Sequence, residues 1–283
     1  MTSRHLAGRW RQGGARVIAC VVLGAALAVT LPMPGAGHAG EVVTHSDVGL
    51  LWLPDSEASS APVPVVIALH DSLGIDQRGW RYGEQLTAAG IAVLHVELQE
   101  VSADGFVSMP VRDEPAAKLA RLAIAIDSVA EDPRFAHAAI GILAFGAAGQ
   151  VAMRAAADRT TAGRIAAMAL LYPGCAAIPA PTQETALQSP VLLLHGDADP
   201  ANSPADCAGL AGRIARSAPV RRRQYAGAGY AWDLPAIGLD AVRKLPWPDR
   251  PGMWLPASHW PEAAEFSAAQ VASFFARALS AQP

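Results

Sequence analysis

Ile140-Gly141-Ile142-Leu143-Ala144-Phe145-Gly146-Ala147-Ala148-Gly149-Gln150-Val151 reads as a strand, a tight turn and the start of a helix. The first six residues are apolar or glycine, as expected of a strand covered on both faces. Tiny residues then occupy the turn, and an Ala-rich pattern of helical period follows. In α/β folds a cramped strand-to-helix turn of this kind can raise a nucleophile on a strained elbow, where bulky neighbours would not fit. The apex residue here is Gly146, and no Ser, Thr or Cys stands between Val129 and Arg159.

The same alternation of short apolar runs with longer helical ones continues on both sides. Strands are predicted over Val48–Leu53, Val65–Leu69, Ile91–Val96, Ala139–Ala144, Ala167–Tyr172, Val191–Leu194 and Val220–Tyr225. Helices are predicted over Arg78–Ala89, Glu114–Val129, Gly149–Ala157, Ala205–Ser217 and Pro261–Leu279. This is the pattern of an α/β protein with a doubly wound, mostly parallel sheet and helices on both faces. No repeat, charge block or linker divides the chain after residue 39, so residues 40–283 are expected to form a single domain. Within it, about 231–260 is rich in Trp and Pro, in a length that a compact domain usually fills with a short connection. Its indoles can serve a lid or ligand site, with Trp232 the candidate contact, or can cover a sheet edge.

Arg4, Arg9, Arg11 and Arg16 precede an apolar run, Val17–Leu31, which gives way to Pro32, Pro34 and the small residues Gly37-His38-Ala39. Charge order, length and the small-residue end are those of a secretory signal peptide over residues 1–39. The run is shorter than the roughly 20 residues that span a bilayer. The expected destination is a periplasm or the extracellular space, with no membrane anchor retained after cleavage. None of the 25 acidic residues lies in this leader, so the rest of the chain is more acidic than the net charge of −3 indicates. That balance argues against a nucleic-acid partner, because phosphate backbones are gripped by clustered Lys and Arg. The one basic run, Arg221-Arg222-Arg223, alternates faces on a predicted strand. Beyond the leader two cysteines remain, Cys175 and Cys207, and an even pair in an oxidising compartment is either a disulfide or two separate buried thiols.

Ligands of open α/β sheets bind at the carboxyl ends of the strands. Three more junctions carry polar groups there. Leu69-His70-Asp71-Ser72-Leu73-Gly74 follows an early strand, Leu194-His195-Gly196-Asp197-Ala198-Asp199-Pro200 a later one, and Tyr225-Ala226-Gly227-Ala228-Gly229-Tyr230-Ala231-Trp232-Asp233 the one after it. With the elbow, these segments make the chain resemble the dienelactone hydrolase family of α/β-hydrolases over about residues 64–279. The order elbow, acid, base is that of the fold, and the separations of Gly146, Asp199 and Tyr230 look similar to the family's. Asp71 stands where some members place a carboxylate beside the nucleophile. Cys175 and Cys207 are also similarly placed to a pair in secreted members.

The resemblance implies a hydrolase, yet two of the three triad places have changed. Gly146 stands in the nucleophile's place and Tyr230 in the base's, with Asp199 kept in the acid's. Glycine has no atom that can attack, and a phenol with a pKa near 10 is a poor base at neutral pH. The sequence therefore points to a family member without the family chemistry, a non-catalytic or ligand-binding module whose partner is a small molecule. The other reading is hydrolysis of small esters or lactones by a water-mediated route through Asp199, Asp71 and Tyr230, with His70 and Ser72 as auxiliaries at the same mouth. The histidines show no metal-ligand spacing, and the glycines of the elbow are not followed by the acidic strand end of a dinucleotide site. No metal or cofactor is expected.

Overall fold

The apolar runs assemble into one eight-stranded sheet. The computed structural model describes residues 41–45, 48–55, 62–71, 74–98, 115–179, 187–236 and 243–280. The expected leader over 1–39, Ser72, Glu114 and residues 237–242 of the Trp/Pro-rich segment lie outside them. Residues 37–283 form a compact unit of their own.

The strands are β1 (Val42–His45), β2 (Gly49–Trp52), β3 (Val65–Leu69), β4 (Ala92–Val96), β5 (Ile140–Phe145), β6 (Ile165–Leu171), β7 (Val191–Gly196) and β8 (Val220–Tyr225). Their order across the sheet is β1-β2-β4-β3-β5-β6-β7-β8. β1 and β2 form an antiparallel edge, β2 also runs antiparallel to β4, and every later pairing is parallel. The strand read as starting at Val48 begins at Gly49. β1 was absent from the sequence reading.

Alternation along each central strand separates two cores, because successive side chains point to opposite faces. Val65, Ile67 and Leu69 of β3 face a layer containing α2 (Pro115–Glu131), α3 (Ala148–Ala157) and α4 (Pro204–Ile214). Val66 and Ala68 face the layer of α1 (Gln77–Ala88) and α5 (Pro261–Ser280). The predicted doubly wound, mostly parallel sheet with helices on both faces is the fold. On the α5 side the packing is close: a Cβ at Gly141 of β5 would sit 2.6 Å from the ring of Phe275.

Local chemistry sets the helix starts. The Asp76 carboxylate accepts from the backbone N–H of Arg78 and caps α1. Ser203 accepts from the N–H of Asp206 at the head of α4, with Pro204 in the first turn. Such caps satisfy N–H groups that have no partner within the helix.

Cys175 and Cys207 are disulfide-bonded, joining the loop after β6 to α4 across 32 positions. In the chain-entropy account a loop of that size restricts the unfolded state by roughly 3–4 kcal/mol. Reduction should lower the denaturant midpoint accordingly. An unchanged midpoint in reductant would mean that the bond adds nothing to stability.

The segment read as a loop over about 231–260 contains a small hairpin, β9 (Lys244–Pro246) with β10 (Trp254–Pro256). Three-residue strands bearing prolines carry too short a period to be seen in a sequence. Trp232, the candidate ligand contact, is fully buried. It packs edge-on against Tyr172 and Tyr225, and its Nε1–H donates to Ser267 Oγ at 3.2 Å.

Candidate functional site

Gly146 leaves β5 with φ +52°, in the left-handed region that side chains with a Cβ adopt only under strain. Its N–H is fixed to the carbonyl of Leu171, and its carbonyl accepts from Gly149 N as α3 begins. Geometrically this is an elbow. A side chain started at Gly146 would put its Cβ 2.5 Å from the Tyr230 hydroxyl and 2.9 Å from Asp71 Oδ2. The space above the apex is therefore taken by the phenol of Tyr230 and the carboxylate of Asp71.

Tyr230 is held there by its backbone and its ring. Its carbonyl accepts from Ser258 N, the carbonyl of Trp232 accepts from Trp260 N, and the intervening Ala231 has φ +50°. The ring meets Tyr172 edge-on at 5.2 Å. Its hydroxyl is buried with no hydrogen-bond partner among the described residues. Burial and then the nearby Asp71 carboxylate push the phenol well above its usual pKa, so at neutral pH it is a proton holder and not a base.

Asp199 lies in the turn after β7, 2% exposed. Its Oδ1 accepts from Ala201 N at 2.8 Å and its Oδ2 from the Asn202 amide at 2.9 Å. Burial raises it to about 6 against the restraining effect of these bonds. Asn202 in turn accepts from the N–H groups of Gly174 and Cys175, so the acid is built into the turn that carries the disulfide. It makes no hydrogen bond to Tyr230. Asp197, the other carboxylate of this loop, accepts from Gly227 N at 2.6 Å. His195 is fully buried, with Nδ1 at 3.1 Å from the Gly196 carbonyl and Nε2 at 2.8 Å from Arg222 Nη1.

The largest feature of the mouth was missed by the sequence reading. Arg78, in the first turn of α1, is 0% exposed. Its Nη1 and Nη2 donate to Asp71 at 3.0 and 2.8 Å, and its Nε donates to both oxygens of Asp76 at 2.9 and 3.1 Å. Beyond it, the Asp233 carboxylate accepts from Tyr172 at 2.6 Å and from Tyr82 at 2.8 Å, and Tyr82 shares a hydrogen bond with Ser267. Burial raises Asp233, with Arg78 and the two phenols pulling the other way. A lone Arg near a helix start reads as solvated in a sequence. Only the packing of α1 against α5 and β4, with the guanidinium over the Phe145 ring, shows that it is enclosed.

His70, the other auxiliary named from sequence, is stacked on Phe145 and sits with Nε2 at 3.3 Å from His95 Nδ1. Burial lowers His70 to about 4 and His95 to about 3. Both rings are neutral in the folded protein, whereas in the unfolded chain each takes up a proton near pH 6.5. Between those values the unfolded state binds more protons, so the pair's contribution to stability falls as pH falls. Asp199 acts oppositely, because its raised folded pKa makes the folded state bind the extra proton between about 6 and its ordinary value of 3.8. The two imidazoles outweigh the one carboxylate. Acidification from pH 7 to 4 should cost a net of about 4 kcal/mol from these three groups, at about 1.4 kcal/mol for each pKa unit. Urea midpoints measured across that range test it, and a profile that rises toward acid would show Asp199 to dominate.

Chemically, the mouth has no attacking atom at its apex, a protonated phenol above it and a carboxylate committed to its own turn. The family model described as the dienelactone hydrolase family matches residues 49–279. No curated protein matches the chain. Among solved structures it is similar to a dienelactone hydrolase from Anabaena variabilis ATCC 29413, at 19% identity and TM-score 0.61 over 86% of this chain and 97% of that one. It is also similar to a dienelactone hydrolase-like promiscuous phosphotriesterase, P91, from metagenomic libraries, at 18% identity and TM-score 0.59 over 84% and 96%. Est1E from Butyrivibrio proteoclasticus matches at 13% identity and TM-score 0.56 over 86% and 100%. At these identities the likeness is one of fold.

Proposed function

The chain belongs to the dienelactone hydrolase family, and from that premise we propose that it is an exported member with a degenerate triad, Gly146, Asp199 and Tyr230, which keeps the scaffold as a non-catalytic, ligand-binding module. The observation that carries the reading is the 2.5 Å approach of the Tyr230 hydroxyl to the Cβ position of Gly146. The nucleophile is absent and a group that cannot replace it fills its volume. The unpartnered phenol and the enclosed Arg78 network support a mouth turned into packed interior. Export is supported by the signal-peptide pattern and by the disulfide, since such bonds persist mainly in oxidising compartments. No helix among the described residues is long and apolar enough to cross a membrane.

The second reading, water-mediated hydrolysis of small esters or lactones through Asp199, Asp71 and Tyr230, has one observation in its favour. Asp199 at about 6 is close to the value that suits a general base near neutral pH. Against it, both Asp199 oxygens already serve Ala201 and Asn202, and Asp71 is paired with Arg78. Hydrolysis of an activated aryl acetate separates the two. The purified protein should match a protein-free blank. A rate well above blank that collapses in a folded Asp199→Asn variant would establish the water-mediated route instead.

A further inference from the structure

Between α5 and β8, the edge strand of the eight-stranded sheet, lies an open groove of about 340 Å³. It is separate from the elbow, and its chemistry is different. Leu192 of β7 forms the floor, and Phe266 and Phe274 stand on the helix wall. Phe266 is 57% exposed, an uncovered aromatic ring. Arg221 lines the strand side and Arg277 the helix side. Among the described residues neither guanidinium is in a salt bridge. Arg277 donates to Ser273 Oγ, which leaves most of its donors free, since a guanidinium carries five.

We propose that this groove binds a small amphipathic anion, a carboxylate with an aliphatic or aryl tail. The head would be held by Arg221 and Arg277, and the tail laid over Leu192, Phe266 and Phe274. Arginine is suited to the head because its planar fork matches a carboxylate with two parallel hydrogen bonds. The volume lies at the small end of ligand pockets, which run from roughly 300 to 1,000 Å³. Charge complementarity selects this occupant over others. A second copy pairing edge to edge would set Arg221-Arg222-Arg223 of one β8 against the same run of another, and like charges facing across strands repel. A nucleic acid needs a longer basic track than two guanidiniums provide. The site does not depend on whether the elbow is catalytic.

Titration calorimetry of the purified protein with decanoate tests the proposal, with decyltrimethylammonium as the cationic control. Decanoate should bind one to one and the cation should not. Arg221→Ala with Arg277→Ala should weaken decanoate at least about tenfold, the loss of one charge-assisted hydrogen bond. Phe266→Ala should weaken it independently of charge. All three side chains are exposed, so the variants should melt like the parent. Equal binding of the cation, or decanoate binding unchanged in the double variant, would overturn the proposal. So would decanoate binding lost only on Tyr230→Ala, which would put the ligand at the mouth. A dimer in sedimentation that the double arginine variant abolishes would assign the groove to a second copy and also overturn it.

Discussion

Gly146→Ser alone should lower folding stability by about 3–4 kcal/mol, and most of that loss should disappear when Tyr230→Phe accompanies it. Two costs are combined in the single variant. The backbone at φ +52° strains any residue with a Cβ, and the new Cβ would press on the Tyr230 hydroxyl at 2.5 Å and on Asp71 Oδ2 at 2.9 Å. Tyr230→Phe removes the closest of these atoms. By itself it should be neutral or stabilising by up to about 1 kcal/mol, because the buried hydroxyl has no partner to lose. A double-mutant cycle from denaturant unfolding reads the coupling directly. Additive effects would show that the phenol does not occupy the nucleophile's volume. With Tyr230→His in place of Phe, the same relief should admit the serine beside an imidazole, and any esterase activity then gained would locate an intact pocket.

Arg78→Met should cost about 4–5 kcal/mol, the upper part of the range for breaking a buried ion pair from one side. The guanidinium, itself enclosed, holds two carboxylates, the buried Asp71 and the half-buried Asp76. Without it Asp71 and Asp76 both lose the guanidinium from which they accept, and Asp76 still has to cap α1. The diagnostic is recovery. Adding Asp71→Asn should restore a large part of the loss, since a neutral amide is far cheaper to bury than a carboxylate whose guanidinium has been removed. Circular-dichroism unfolding of the parent, the single and the double variant measures both. A small deficit that Asp71→Asn does not relieve would mean that Arg78 contributes packing and not charge.

These two sites mark how far the sequence could be read. Val65–Leu69 was legible to the residue because an uninterrupted apolar run opening on three β-branched residues, between Pro64 and His70, has few other uses in a chain of helical segments. α5 was legible from Pro261 onward by its proline start and its single apolar face. β1 was not, because it is four residues long and draws its stability from pairing with Gly49–Trp52 and not from its own pattern. At the mouth, the sequence named Gly146, Asp71, Asp199 and Tyr230, and the fold brings the Tyr230 hydroxyl and the Asp71 carboxylate to the Gly146 apex. The missing parts were contacts across long separations. Nothing local in Arg78 says that it meets Asp71, and nothing in Asp233 says that Tyr82 and Tyr172 share it. The Tyr230 phenol in the nucleophile's space is of the same kind: a substitution visible in sequence, whose meaning depends on a ring direction that only the fold supplies.

The strand order also governs how such a chain must acquire its structure. β3, at the centre, pairs with β4 on one side and with β5 on the other, so Val65 has to wait for Ile140 before its second edge is covered. Contacts this distant close large loops before any burial rewards them, and they slow folding relative to local pairings. A chain made from its N-terminus onward therefore carries β3, with one apolar edge open, until the elbow strand arrives. During that interval the run Val65-Val66-Ile67-Ala68-Leu69 is the segment most exposed to intermolecular pairing, and it is where a holding chaperone would do most good.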